Sequence, residues 1–127
     1  MMLYLERVVE HIQENEQTWT LNRKEDFKKG RVFYWQSGKQ RVDVSIVLLA
    51  SSEDAKTHLY NTINQVPVPY KSKMENLGDE AVLYQSEGTT RSMLLLRRGT
   101  IFIQVNADEF THGKKFAEYI IGLADSL

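Results

Sequence analysis

An α+β fold is predicted for this 127-residue chain, with helices packed against an antiparallel or mixed sheet of five to six strands. Three observations predict it. Helix-period and strand-period segments follow one another in the order α-β-β-β-α-β-β-β-α. Neighbouring strands are joined by short turn sequences everywhere except across the middle helix, which favours antiparallel pairing and helices segregated from the sheet. Hydrophobic residues make up 42% and charged residues 26%, the composition of an ordinary globular domain, and residues 1–127 are read as one such domain. A chain of this size buries roughly two-thirds of its unfolded surface, so it can fold without a metal or a disulfide.

Leu5, Val8, Val9 and Ile12 stand at i, i+3, i+4 and i+7 and predict an amphipathic first helix, with Glu6, Glu10 and Glu14 on its other side. From Thr18 the period changes to two. Trp19 and Leu21 alternate with threonines, a short strand or extended segment, and the charged stretch Arg23 to Lys29 then reads as an exposed turn ending at Gly30. Arg31 to Gln36 is β-branched and aromatic, and Ser37-Gly38-Lys39 turns the chain into a second strong strand, Arg41 to Leu49. The end of that strand is apolar at consecutive positions, as in a strand covered on both faces.

Ser51 and Asp54 have capping-box spacing and start the middle helix, whose buried stripe is Ala55, Leu59, Thr62 and Val66. Val66-Pro67-Val68-Pro69 ends it, because proline lacks the amide proton and disfavours helix in the residue before it. Residues 67–80 then read as a connection. Strands follow at Ala81–Gln85, Arg91–Arg97 and Thr100–Asn106, joined by turns at Gly88 and Gly99. A last helix begins near Thr111, with Phe116, Ile120, Leu123 and Leu127 on one stripe. Hairpin, strand and helix recur over 31–65 and 91–126, an order that duplication would produce.

Several chemistries are disfavoured by composition. Sixteen basic and seventeen acidic residues give a net charge of −1 and no long-range field for nucleic acid or an anionic membrane. Basic clusters do occur at Lys28-Lys29-Gly30-Arg31, Arg97-Arg98 and Lys114-Lys115, but acids are interleaved throughout, so no nucleic-acid partner is expected. There is no cysteine, hence no thiol catalysis and no zinc-thiolate site. His11, His58 and His112 lack metal-ligand spacing, no Gly-x-Ser-x-Gly elbow or phosphate-binding glycine loop occurs, and neither a metal nor a cofactor is expected. The acids Glu75, Asp79 and Glu80 read as polar turn residues rather than catalytic ones. The longest apolar run, Ile46 to Ala50, is far below the ~20 residues of a membrane span. The charged N-terminal segment has no signal-peptide core. Compartment is left open: cytoplasmic if the chain is complete, extracytoplasmic if it is cut from a longer one.

What remains is a binding function, and the long connection is the place to look for its site. Tyr70, Lys71 and Lys73 stand on it as the candidate binding residues, since binding groups concentrate on loops held by a rigid scaffold. No catalytic residue is assigned.

Residues 75–126 carry a further pattern. Leu77-Gly78-Asp79-Glu80-Ala81, then Leu94-Leu95-Leu96-Arg97-Arg98-Gly99-Thr100-Ile101-Phe102-Ile103-Gln104-Val105, then a closing helix with Phe116-Ala117 and Ile120, resemble a module of bacterial extracytoplasmic proteins. The module is the sensor-type and lipoprotein domain similar to the extracellular portion of actinobacterial Ser/Thr kinases. The resemblance implies a non-catalytic, sensor-type accessory module that binds a small ligand or a protein. In two respects the chain departs from it, having neither cysteines nor an export signal. The helix and strand order is also similar to that of small dimeric secretion chaperones, which implies a protein-binding homodimer as the alternative. A small enzyme with a pocket between sheet and helix is the third option.

Overall fold

A computed structural model describes residues 2–125 and places three helices around one seven-stranded antiparallel sheet. The elements are α1 (Met2–Asn15), β1 (Thr20–Phe27), β2 (Gly30–Ser37), β3 (Gln40–Leu48), α2 (Ser52–Gln65), β4 (Ser72–Lys73), β5 (Glu80–Gln85), β6 (Ser92–Arg98), β7 (Ile101–Ala107) and α3 (Phe110–Ala124). Across the sheet the strands run β1-β2-β3-β7-β6-β5-β4. The α+β class holds. The strand count of five to six does not: the expected first strand is present and longer, and a seventh lies in the connection, two differences that share a cause.

Arg23 to Lys29 is no turn: its residues to Phe27 belong to β1, which pairs along β2 from Thr20↔Gln36 to Phe27↔Gly30. Strand β1 is the edge of the sheet and its charged residues are exposed on both faces, so no alternation marks it in the sequence. The connection 67–80 likewise contributes β4, the opposite edge. Lys71 and Met74 extend that pairing by donating their N–H groups to the carbonyls of Leu83 and Ala81, at 2.7 and 2.9 Å.

Alternation along the inner strands divides the residues between two faces. One face is covered by α1 and α3. Phe33 and Trp35 of β2, Val44 and Ile46 of β3, Leu94 and Leu96 of β6 and Ile103 and Val105 of β7 meet Leu5, Val8, Ile12, Phe116 and Ile120 there. Trp35 packs edge-on against Phe116, with ring centroids 5.7 Å apart. Of the stripe expected on α3, Leu127 lies outside the described residues. Among the described residues the other face is covered only by α2, whose Leu59 meets Val47, Val82, Leu95 and Phe102.

Helix α2 starts as expected, with the Ser51 hydroxyl accepting from the Asp54 N–H at 3.1 Å, and ends at Val66, whose backbone is extended before Pro67. Gly30 is required by a close approach, because a Cβ there would lie 1.8 Å from the Ile46 carbonyl oxygen of β3. Gly78 is required by its backbone, with φ +68°, as it turns the chain into β5. The recurring hairpin-strand-helix units meet at the β3–β7 pair, but α2 and α3 lie on opposite faces. A two-fold axis normal to the sheet would keep them on one face, so the recurrence is one of order, not of symmetry. Among the described residues no helix is long and apolar enough to cross a membrane.

Candidate functional site

On the α2 face one row of side chains crosses the sheet from apolar to polar. Tyr84 of β5 stands opposite Met93 of β6, Met93 opposite Asn106 of β7, and Asn106 opposite Asp43 of β3. The row continues through Tyr34 of β2 to Arg23 of β1, whose guanidinium lies 4.3 Å from the Tyr34 ring centroid. Helix α2 stops at this row. Where the chain leaves it through Val66, Val68 and Pro69, a cleft of about 790 Å³ opens over the sheet, within the size range of small-molecule sites.

The two walls differ chemically. Val66, Val68, Pro69, Tyr84 and Met93 make one; Arg41, Asp43, Arg91, Asn106 and Asp108 make the other. Asp108 organises the polar wall. Its carboxylate accepts from the Arg41 backbone N–H at 3.0 Å and faces the Arg41 and Arg91 guanidinium groups at 3.8 and 3.9 Å. Both arginine side chains remain mostly exposed and the separations are long, so these pairs add little stability and leave the guanidinium groups open to other partners. Burial holds the Asp43 carboxyl above its ordinary value; Arg41 opposes this and Asp108 adds to it.

On the apolar wall stands one unmet polar group. Tyr84 is only 6% exposed, and among the described residues its hydroxyl has no hydrogen-bond partner. Burial, and then Tyr70, hold that phenol above its ordinary pKa, so it stays protonated and keeps both its donor and its acceptor. A buried hydroxyl left unpaired costs about 1–3 kcal/mol. Among the described residues the buried hydroxyl of Ser92 is also unpartnered, but although Ser92 borders the cleft its side chain turns to the other face, 3.8 Å from where a Cβ of Gly113 in α3 would be.

The sequence-predicted residues lie behind this cleft rather than in it. Tyr70 sets its ring edge-on to Tyr84 at 6.4 Å. The Lys71 ammonium donates to the Gln85 side chain at 2.9 Å, and Lys73 pairs with Val82 on the edge strand. Tyr70 and Lys71 thus buttress two lining residues, Tyr84 and Gln85, while Lys73 stays apart. What sequence reasoning missed is the cleft itself. Its groups come from β3, β5, β6, β7 and the segment after α2, and no local pattern announces that they meet.

The other candidates are in structural use. Arg97 bridges Asp79 and Glu80, and Asp79 also accepts the Gly99 N–H at 2.7 Å, which fixes the β6–β7 turn. Glu80 further accepts the Tyr60 hydroxyl, and that bond, with Arg97, holds its carboxyl below the ordinary range against the opposing effect of burial. His58 is half-buried edge-on against Phe102 at 4.6 Å; burial, then Lys29, lower its pKa. Among the described residues no three His, Asp or Glu side chains gather as a metal site would need. A second cavity of about 840 Å³ lies at the other end of α2, beside Phe27, Lys28, Lys29 and His58, but among the described residues no buried unpartnered polar atom lines it. The chain gives no significant match to known protein families, to curated proteins or to solved structures.

Proposed function

We propose that this chain is a non-catalytic, sensor-type binding module whose cleft takes a small amphiphilic ligand, apolar at one end and hydrogen-bonding at the other. The observation that carries the reading is the Tyr84 hydroxyl, buried in the apolar wall with its donor and acceptor unmet. A ligand that pairs with it recovers the cost of leaving it unpaired, and recovers it only when bound. The walls match such a ligand: Met93 and Val66 accept the apolar body, and Arg41, Asn106 and Asp43 face its polar end. Met93, Arg41, Asn106 and Asp43 stand on strands of a hydrogen-bonded sheet, so little ordering is required on binding.

The test is amide-resolved NMR titration with a panel of small aromatic and aliphatic acids, amides and alcohols. Binders are expected to move the amides of Tyr84, Met93 and Asn106, and Tyr84→Phe is expected to weaken them about tenfold, the loss of one hydrogen bond to a buried group. Binders that move only the residues around Lys28 and His58, or that bind Tyr84→Phe equally well, overturn the reading.

A further inference from the structure

Charge on the polar wall of the cleft is separated into two places. Beyond the row that reaches Asp43, Asp108 stands between Arg41 and Arg91, and its carboxylate is shared by their guanidinium groups at 3.8 and 3.9 Å. Both separations exceed the ~2.7–3.2 Å of an N–H···O hydrogen bond. Two positive charges and one negative leave this end of the wall with a positive surplus, carried on arginine side chains that are mostly exposed.

Asp43 is the opposite case. It lies two residues from Arg41 on β3 and on the same face, a spacing of about 7 Å along the strand. It is half-buried, and among the described residues it makes no ion pair. Burial raises its carboxyl against the pull of Arg41 and Arg23, which marks a carboxylate short of positive charge. A ligand with one charge therefore meets a like charge on this wall, Asp43 beside an anion or Arg41 beside a cation. A ligand with both signs on neighbouring atoms meets an opposite charge at each place. The third acid of the lining, Glu87, is exposed on the turn between β5 and β6, on the far side of β7 from Asp43.

The length of the row sets the rest of the ligand. From Asp43 through Asn106 and Met93 to Tyr84 it crosses three strand spacings, about 14 Å between backbones. One end is charged, the middle is apolar at Met93 and Val66, and the far end holds the unmet Tyr84 hydroxyl. We propose that the ligand of this cleft is a free α-amino acid whose aromatic side chain ends in a hydrogen-bonding group. Its carboxylate is held by Arg41 and Arg91, its ammonium by Asp43, its ring against Met93 and Val66, and its tip on the Tyr84 hydroxyl. This rests on the reading of the cleft as a small-molecule site and narrows it from amphiphiles in general to zwitterions.

Three probes of one shape test it: L-tyrosine, tyramine, which lacks the carboxylate, and para-hydroxyphenylpropionate, which lacks the ammonium. Followed through the amides of Tyr84, Met93 and Asn106, L-tyrosine is expected to bind about tenfold more tightly than either, the worth of one hydrogen bond between charged groups. Arg41→Gln is expected to remove most of its advantage over tyramine, and Asp43→Asn most of its advantage over the propionate. Unmoved amides away from the cleft show that each variant keeps its fold. Tyramine or the propionate binding as tightly as L-tyrosine overturns the zwitterion and leaves the cleft reading standing. No binding of any of the three at those amides overturns it as well, and the cleft reading then stands or falls with the wider panel of acids, amides and alcohols. An advantage of L-tyrosine that both variants keep in full overturns the roles given to Arg41 and Asp43.

Discussion

The two faces of the sheet are built from the same strands and end up differently. On the face under α1 and α3, strands β2, β3, β7 and β6 each give alternate apolar residues to one continuous core, and both helices meet it with large side chains. On the other face the apolar residues stop short. Val47, Phe102, Leu95 and Val82 gather under α2, and beyond it the row turns polar through Asn106, Asp43 and Tyr34. The difference teaches where a binding site can form in a fold of this kind. A fully covered face has no boundary; a half-covered one has a line along which an apolar wall meets a polar one, and the cleft at Tyr84 lies on that line.

The comparison can be broken most forcefully on the covered face. Phe116 is fully buried and touches Trp19 and Trp35, so Phe116→Ala is expected to cost about 3–5 kcal/mol in chemical denaturation. On the other face Leu59→Ala is expected to cost less, about 2–3 kcal/mol, because a single helix bordered by a cleft can settle into the space. Equal losses at the two sites would mean that α2 is as rigidly held as α3.

Smaller effects sharpen the comparison through pH. Between α1 and α3, burial raises the Glu16 carboxyl, but hydrogen bonds from Lys115 and Tyr119, each 2.8 Å, outweigh it and hold its pKa below the ordinary value. Its contribution is therefore present above pH ~4.3 and lost as pH falls through the lowered value. Glu16→Gln should reduce stability at neutral pH by about 1 kcal/mol and flatten the acid side of the profile. On the α2 face His58 has its pKa lowered by burial, so its contribution is present above pH ~6.5 and declines as pH falls below that. Melting temperature of the wild type is expected to drop between pH ~7 and pH ~5 and that of His58→Leu to drop less; an equal drop in both assigns it to other groups. The smallest effect is expected at the cleft. Tyr84→Phe removes an unpaired buried hydroxyl and should leave stability unchanged or raise it by up to about 1 kcal/mol, whereas a clear loss would mean the hydroxyl has a partner in solution.

How legible each part was depends on whether its cause is local. The α2 cap was readable because the Ser51 hydroxyl meets the Asp54 backbone N–H within one turn. The strands β2, β3, β6 and β7 were readable because burial of one or both faces writes apolar periodicity into them. Edge strands carry no such demand. The charged end of β1 resembled a turn and two-residue β4 a loop, and both were found only through their partners. Of the site, Tyr70 and Lys71 were singled out as exposed residues on a long connection, and they support the cleft from behind. Tyr84 gave no signal, since a tyrosine in a strand looks the same whether or not its hydroxyl finds a partner. That depends on side chains separated by tens of residues.

One feature of the topology bears on how the chain assembles. Strands β1 to β3 and β4 to β7 are each strings of neighbours, joined to one another only along β3 and β7, where Val42 meets Ala107. Helix α2 follows the first string in sequence but packs on the second, over Leu95 and Phe102. Each half therefore carries or lacks a cover that the other holds. Cut at the exposed Pro67–Pro69 segment, neither fragment could close its own core, and each would present the surface the other is shaped to meet. The intact chain should accordingly fold late along the β3–β7 seam, and two separately made fragments should recover the native fold only when mixed.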